Sequence, residues 1–203
     1  EGKNMSGCLV ENVRAGYLIG WSFTPLVGKK PMLKGWQSAP REKLDQALAW
    51  ASKGNVGLRT GCASGVVAID ADPGADLGPL NLPDTVTAHT GRPGAKHLYF
   101  CHDGPLGNSS GKLGPHIDVK ADGGQVVFPG SVHPETGATY AWAEGRSPAD
   151  VQLAHLPANV LELLRKLDPP KPSGPSPKVK PGRTRQERYA AQALRLELNN
   201  IHN

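Results

Sequence analysis

The sequence predicts an α+β (mixed α/β) domain, in which a sheet of short strands follows a helical N-terminal part. Short apolar segments recur between residues 56 and 143, separated by turns rich in Gly or Pro. On both sides of that region apolar residues return at helical spacing. The 25 glycines and 19 prolines among 203 residues also indicate many turns. The chain is long enough for one ordinary core.

The N-terminal part predicts a helical or extended segment at 8–19, then a loop, GKKPMLKGWQSAP, and then a helix. Ser38 or Pro40 precedes this helix, and Glu42 supplies an acidic residue for its first turn. Apolar residues recur at helical spacing up to position 51. We expect the helix to pack on the sheet.

The central part predicts strands and the part after it a closing helix. The predicted strands are 56–58, 66–72, 85–89, 96–101, 117–120, 125–128 and 139–143. The helix is predicted over 148–167. Its apolar stripe consists of Val160, Leu161, Leu163, Leu164 and Leu167.

The predicted domain organisation has three parts. Residues 7–168 form the main domain, and 169–182 form a linker, because prolines at such density disfavour both helix and sheet. Residues 183–203 begin a helical region, with a capping box from Thr184 to Glu187. We expect the natural chain to continue past this region.

Charge and cysteine usage limit the function classes. The net charge of +5 and the pI near 9.2 are compatible with a polyanionic partner, and equally with an ordinary basic enzyme. Cys8, Cys62 and Cys101 form no paired framework, which favours a reducing, cytoplasmic compartment. No apolar segment approaches the roughly 20 residues that span a bilayer, so no membrane partner is expected.

The segment VVAIDADP places two acids at the end of an apolar strand. Asp70 and Asp72 are two positions apart, so they point to the same face, roughly 6.5 Å from each other along the backbone. Two ionised carboxylates repel, and a divalent cation between them relieves the repulsion. From this motif alone, a solvated acidic turn at Asp72, Pro73 and Gly74 is the better interpretation.

Two later strands change that balance. Lys96 and His97 begin one strand, where a point charge and a hydrogen-bond donor could hold a triphosphate; a packed histidine is the alternative. Asp118 lies between Ile117 and Val119 inside another apolar strand. A third acid in a buried pattern favours a metal site over coincidence.

Four stretches, taken in order, resemble the successive motifs of the primase-polymerase (Prim-Pol) family of the archaeo-eukaryotic primase superfamily. The resemblance spans roughly residues 16–142. The stretches are GYLIGWSFTPLVGKKPMLKGW, NVGLRTGCASGVVAIDADP, TAHTGRPGAKHLYF and HIDVKADGGQVVFPGSVHPETGATYAW. Each is a weak signal by itself, whereas four in the same order with compatible gaps are a strong one.

The resemblance implies a cleft between an N-terminal α/β unit and an RRM-like catalytic sheet. It implies template-directed nucleotidyl transfer with two Mg²⁺ or Mn²⁺ ions, held by Asp70, Asp72 and Asp118. His97 matches the family's triphosphate-contacting histidine. The implied partners are a single-stranded DNA template, a primer and an NTP or dNTP. A helicase domain, in the same chain or in trans, often accompanies this family in phage and plasmid replication proteins.

The resemblance also implies roles for other matched positions. The family motif commonly reads Ser-x-His, whereas this chain has Ala95 in place of the serine and so lacks the hydroxyl of that motif. Lys96 is expected to steady the β- and γ-phosphates beside His97.

A further group is expected to bind nucleotide or DNA. Ser131 and His133 match a nucleotide-pocket stretch, with turn capping as the alternative. Lys30 and Lys34 are expected to contact DNA phosphates, and Arg59 the nucleotide; solvated side chains are the alternative.

The expected reaction is attack of a 3′-hydroxyl on the α-phosphate of an NTP or dNTP, with release of pyrophosphate. A two-metal nuclease and a non-catalytic RRM-like nucleic-acid binder remain open as alternatives. No structural zinc is predicted, because strand alternation divides the side chains of 97–102 between two faces. GNSSGKLG lacks the spacing of a phosphate-binding Walker loop.

Overall fold

A computed structural model describes residues 5–167, with side chains from residue 9 to residue 165. The predicted linker 169–182 and helical region 183–203 lie outside the described residues. The helices are α1 (Met5–Leu18), α2 (Leu44–Ala51) and α3 (Ala158–Leu167). The strands are β1 (Phe23–Val27), β2 (Lys30–Pro31), β3 (Val56–Arg59), β4 (Val66–Ala71), β5 (Val86–His89), β6 (Lys96–Cys101), β7 (Ser109–Ser110), β8 (Ile117–Lys120), β9 (Gln125–Val127) and β10 (Ala141–Trp142).

Two antiparallel sheets organise the described part of the chain. One has the strand order β2-β1-β3-β9 and the other the order β10-β5-β6-β4-β8-β7. The predicted α+β class is therefore confirmed, whereas the RRM-like character of the larger sheet stays a prediction. No helix within 5–167 is long and apolar enough to cross a bilayer.

The larger sheet separates two apolar cores. In the central strand β4, Val66 and Ala68 contribute to a core shared with α1, α2 and the smaller sheet. The alternate residues Val67, Ile69 and Ala71 contribute to a second core with α3. Because both faces of β4 are covered, its sequence is a nearly continuous apolar run. Asp70 interrupts that run on the side of the first core.

Aromatic rings fill the first core. Trp21 is fully buried and stacks on Tyr99 of β6, with 6.2 Å between ring centroids. It also meets Phe128 edge-on at 5.9 Å and Trp142 at 6.4 Å. Trp21 thus joins the smaller sheet to the larger one, because Phe128 follows β9 and Trp142 lies in β10.

The predicted strands all occur, but β1, β2 and β7 were not predicted. β1 contains Pro25, which indicates a loop or an edge position in a sequence. The strand tolerates Pro25 because its carbonyl accepts a hydrogen bond from Met32 (3.0 Å), while Leu26 donates to Asn55 (2.8 Å). β2 and β7 have two residues each, too few for a recognisable pattern.

The predicted start of α2 is wrong. The helix begins at Leu44 after Lys43, and Asp45 is the acidic residue of its first turn. Glu42 lies before the helix and is buried. Its carboxylate accepts hydrogen bonds from the Ser22 hydroxyl (2.7 Å) and the Phe23 amide (2.8 Å). Glu42 therefore holds the start of β1 and does not cap the helix.

The helix predicted over 148–167 is wrong in its first half. Only Ala158–Leu167 is helical, and the Pro157 carbonyl accepts from the amides of Val160 and Leu161, each at 3.0 Å. A proline disfavours helical backbone in the residue before it, so the helix starts after Pro157. Leu163 of the predicted stripe is 41% exposed, whereas Val160 and Leu164 are buried.

Asp122 joins the loops around the start of β4. Its carboxylate accepts hydrogen bonds from the amides of Cys62 (2.8 Å) and Leu106 (3.0 Å). His102 Nε2 lies 3.2 Å away. Partial burial raises the pKa of Asp122, but these partners outweigh it and hold the pKa well below the usual range. A Cβ at Gly61, where φ is +71°, would clash with the Asp122 backbone.

Replacing Asp122 with Ala should lower the free energy of unfolding by about 1–3 kcal/mol, because two amides, one exposed and one partly buried, lose a charged acceptor. Denaturant unfolding at neutral pH measures the loss. Asp84→Ala is the control, since that side chain is 83% exposed, and it should cost less than about 0.5 kcal/mol.

The comparison of wild type with Asp122→Ala also gives a test by pH. A carboxylate with a depressed pKa contributes its full stabilisation above its unfolded pKa of about 3.9, and loses it as the pH falls towards the folded pKa. The stability gap between wild type and Asp122→Ala should therefore narrow below about pH 4. A gap that is constant down to pH 2 would contradict the assignment.

Candidate active site

The register of β4 with its neighbours places three polar side chains in one row. Asp70 pairs with His97 of β6 on one side and with Asp118 of β8 on the other. Residues directly opposite each other in antiparallel strands point to the same face, with Cβ atoms roughly 5 Å apart. The row therefore lies on the face that also bears Ala68 and Tyr99.

Asp70 and His97 form the central pair of the row. His97 Nε2 lies 3.4 Å from Asp70 Oδ1, and the histidine side chain is only 5% exposed. Burial raises the pKa of Asp70, but the hydrogen bond and charge of His97, aided by Lys120 and Arg92, outweigh it. The net pKa is lowered, so Asp70 is ionised at neutral pH.

Asp118 is held by two donors. The Ser110 hydroxyl of β7 donates to Oδ1 (2.7 Å), and Lys120 Nζ donates to Oδ2 (2.9 Å). Partial burial raises the pKa of Asp118, and the charge of Asp70 raises it slightly more. The two hydrogen bonds and the Lys120 charge lower the pKa and outweigh both effects. The net pKa is below its usual value.

Asp72 continues the pairing beyond the end of β4. Its amide donates to the His116 carbonyl at 2.9 Å, as a further residue of the strand would. Its carboxylate Oδ1 lies 2.6 Å from the Arg92 guanidinium. Arg92 belongs to the turn before β6, so this ion pair joins the ends of two adjacent strands.

Two tyrosines and a second histidine stand behind His97. The Tyr99 hydroxyl is 3.4 Å from His97 Nδ1, and the ring of Tyr140 lies 5.8 Å from that of His97. His133 stacks on the other side of Tyr140, also at 5.8 Å. Burial, with the Asp70 charge, raises the pKa of Tyr99 well above 10 and that of Tyr140 to about 12. Both phenols stay protonated.

Lys96 lies on the opposite face from His97, because consecutive strand residues alternate. It lines a cavity of about 390 Å³ together with Thr87, Leu98 and Arg146. The structure therefore does not bring Lys96 and His97 together, contrary to the expectation that both hold one triphosphate.

The side chains of Ser131 and His133 are fully buried and engaged in the turn that follows β9. Ser131 Oγ accepts from the Val56 amide (3.1 Å) and donates to the Val56 carbonyl (3.2 Å). His133 Nδ1 accepts from the amides of Glu135 and Thr136, each at 3.3 Å. Burial, followed by the charge of Lys29, lowers the pKa of His133. These contacts are those of turn capping.

The predicted basic contacts lie on the smaller sheet. Arg59 is buried, and its guanidinium donates to the carbonyls of Ala39 (2.7 Å) and Pro40 (3.3 Å), which holds the loop before α2. Lys30 and Lys34 are exposed. Neither forms an ion pair with an acid in the described part of the chain.

Arg92, Lys120 and Tyr140 were missed by the sequence interpretation. Lys120 is two positions after Asp118, so strand periodicity could have placed both on one face. Arg92 lies in the turn TGRPGA, where the sequence does not show which way a side chain points. Tyr140 is brought behind His97 only by the packing of distant segments.

The acids suit a hard divalent cation by their chemistry, since ionised carboxylates are ligands for Mg²⁺ and Mn²⁺. Within residues 5–167, no three Asp, Glu, His or Cys side chains stand close enough together to hold a metal ion. Instead, each carboxylate has a different basic partner: His97 for Asp70, Arg92 for Asp72 and Lys120 for Asp118.

Comparison with known families gives a match. The family model described as Prim-Pol, bifunctional DNA primase/polymerase, N-terminal, matches residues 15–159. That span contains every residue of the row and its basic partners. A search of curated proteins finds no match to the chain.

The contact between Tyr99 and His97 predicts a tautomer. If the protonated Tyr99 hydroxyl donates to Nδ1, the ring proton of neutral His97 lies on Nε2, towards Asp70. Tyr99→Phe keeps the ring packing and removes the donor, so the Nδ1–H form should become populated. Imidazole ¹⁵N chemical shifts measure the tautomers, with Tyr140→Phe as the control. Identical His97 shifts in wild type and Tyr99→Phe would contradict the assignment.

Proposed function

The chain belongs to the bifunctional DNA primase/polymerase (Prim-Pol) family, and from this premise we propose that it is a template-directed nucleotidyltransferase. The proposed reaction joins the α-phosphate of an NTP or dNTP to a 3′-hydroxyl and releases pyrophosphate. The proposed partners are a single-stranded DNA template and a primer, and a helicase in the same chain or in trans.

One observation carries the proposal. Asp70 lies in register with both His97 and Asp118, and Asp72 follows two residues later, just past the end of the central strand β4. Three acids and a histidine so arranged combine hard oxygen ligands with a donor for phosphate oxygens. The lowered pKa values of Asp70 and Asp118 make both carboxylates ionised at neutral pH.

We assign the metal-holding role to Asp70, Asp72 and Asp118. Bound Mg²⁺ or Mn²⁺ would supply activation of the 3′-hydroxyl and neutralisation of charge on the phosphates. Each carboxylate would have to turn from its present basic partner to the ion. Asp70 is the central member, because its strand pairs with the strands of both His97 and Asp118.

His97 is proposed to bind the incoming triphosphate. Its Nε2 lies 3.4 Å from Asp70 Oδ1, whereas Nδ1 lies 3.4 Å from the hydroxyl of the buried Tyr99. Tyr140 and His133 form a stack behind it, so they hold the imidazole in place. We therefore propose that Ser131 and His133 support the nucleotide pocket through the turn and this stack.

The exposed residues of the β1–β2 hairpin and the loop after it are proposed to contact the template. Lys30 and Lys34 present positive charge there, beside the exposed side chains of Val27 and Met32. Arg59 is proposed to contribute to DNA binding indirectly, because its hydrogen bonds to the Ala39 and Pro40 carbonyls hold the same loop. Such contacts to phosphates make binding depend on salt.

The two alternative functions are an RRM-type nucleic-acid binder and a two-metal nuclease. A reader of the RRM type stacks bases on exposed sheet aromatics, but Tyr99 and Phe100 are fully buried here. A two-metal nuclease would use the same acids, so it is separated from a polymerase by experiment.

Replacing Asp70 and Asp72 with Asn should abolish primer extension, with a loss of roughly 100-fold or more, because hard anionic ligands are removed at nearly constant volume. The assay follows labelled dNTP incorporation on a primed template with Mn²⁺ or Mg²⁺. Asp76→Asn/Asp84→Asn is the matched control, since these two exposed acids lie outside the group of three assigned acids. It should retain wild-type incorporation.

Three results would count against the polymerase. Equal incorporation by wild type and the Asp70/Asp72 variant would exclude the assigned acids. Absence of incorporation by wild type with any divalent metal would exclude the reaction. Primer degradation without dNTPs, lost in the same variant, would favour the nuclease.

Lys30→Ala/Lys34→Ala should weaken single-stranded DNA binding and flatten its salt dependence, with the slope of log affinity against log salt falling by about 1.4 for two lost phosphate contacts. Fluorescence anisotropy at several salt concentrations measures both quantities. The control Arg14→Ala/Lys53→Ala removes two exposed cations that lie outside the hairpin and its loop. An unchanged slope in the first variant would mean that the hairpin and its loop do not contact DNA.

A further inference from the structure

Two of the three acids form ion pairs with long, flexible cationic side chains. Arg92 NH2 lies 2.6 Å from Asp72 Oδ1, and Lys120 Nζ lies 2.9 Å from Asp118 Oδ2. The third acid, Asp70, has His97 as its ion-pair partner within the described residues, at 3.4 Å. The family match and the register explain why the acids are together, but they do not explain why two strong cations are bound to them.

Arg92 and Lys120 relieve the electrostatic repulsion among the three acids. Asp70 and Asp118 lie directly opposite each other on adjacent strands, with Cβ atoms roughly 5 Å apart, so their carboxylates repel. A divalent ion bound to the same oxygens would provide the same relief more effectively. Arg92 and Lys120 therefore compete with a metal ion for Asp72 and Asp118.

The exposure of these side chains allows an exchange. Arg92 and Lys120 are 37% and 29% exposed, so water and ions reach both pairs. His97, at 5% exposure and in contact with Tyr99, is held in place. The backbone beside Arg92 is also held, because Ala95 donates to the Arg92 carbonyl (3.1 Å). The exchange would thus move the two cationic side chains and the carboxylates that they contact, and would leave His97 and the backbone in place.

We propose that Arg92 and Lys120 act as exchangeable counter-ions: they neutralise Asp72 and Asp118 without metal, and bind the triphosphate of the nucleotide once metal has displaced them. The proposal rests on the proposed function and deepens it. It assigns to these two residues the phosphate contact that the sequence had suggested for Lys96, whose side chain lies on the other face.

Charge balance supports the exchange. The three carboxylates with Arg92 and Lys120 leave one negative charge, apart from any charge on His97. Two divalent ions on the same carboxylates would leave the region positive by one charge, and the two released cations would raise this to three. A nucleoside triphosphate carries a nearly matching negative charge, so metal binding converts the row into an anion site.

The proposal predicts effects of opposite sign from one substitution. Arg92→Gln and Lys120→Gln should each bind Mn²⁺ about 3- to 10-fold more tightly than wild type, because a competing cation is gone. The same variants should bind a dNTP about 10-fold more weakly in saturating Mn²⁺, because a charged phosphate contact is lost. Arg92→Lys should restore part of both properties.

Mn²⁺ binding is measured on the full chain without nucleotide, from the electron paramagnetic resonance signal of free Mn²⁺. Nucleotide binding is measured with a fluorescent dATP analogue. Arg146→Gln is the matched control, because it removes an arginine from an ion pair of similar length, 2.8 Å to Asp84, away from the row. Lys53→Gln is the control for Lys120. Both controls should match wild type within about twofold, and circular dichroism verifies folding.

Three outcomes would overturn the proposal. Mn²⁺ affinity of the Arg92 and Lys120 variants at or below that of wild type would make the pairs purely structural. Unchanged nucleotide affinity would remove the phosphate contact. Equal changes of Mn²⁺ and nucleotide affinity in Arg146→Gln or Lys53→Gln would show that the effect comes from the net charge of the protein alone. In each case primer extension that still depends on Asp70 and Asp72 would leave the proposed function intact.

Discussion

The pairing register of β4 between β6 and β8 is the constraint on which the rest of the site depends. It sets Asp70 opposite His97 and Asp118 at the same time. A slip of one residue would turn Asp70 into the core beneath α3 and expose Ile69 to the row, because side chains alternate between faces. Since both faces of β4 are covered by apolar cores, such a slip would bury an unpaired charge at a cost of several kcal/mol.

The same alternation determines which cations meet the acids. Lys120 shares a face with Asp118 because the two are separated by two positions, and its ammonium reaches the carboxylate at 2.9 Å. Lys96 adjoins His97 in the chain and is sent to the opposite face for the same reason. Closeness in sequence is thus a poor guide to a common ligand within a strand, whereas a spacing of two is a good one.

Much of the fold was predictable where apolar segments are long or their ends are marked by turns. β6 and β8 have the predicted bounds, because their alternating cores are flanked by Gly and Pro. The errors arose where tertiary contacts override local signals. Pro25 lies in a strand because its carbonyl and the amide of Leu26 both form hydrogen bonds. Glu42 lies outside the helix predicted to include it, because its carboxylate accepts hydrogen bonds from Ser22 and Phe23.

The sequence by itself determined the family and the positions of the acids in apolar strands, because strand periodicity and motif order are local properties. Only the tertiary structure decided that Asp72 meets Arg92, that Lys96 is separated from His97, and that Tyr140 supports His97 from behind. These contacts join segments far apart in the chain. They depend on sheet register and on the packing of the two cores, neither of which any short stretch of residues specifies.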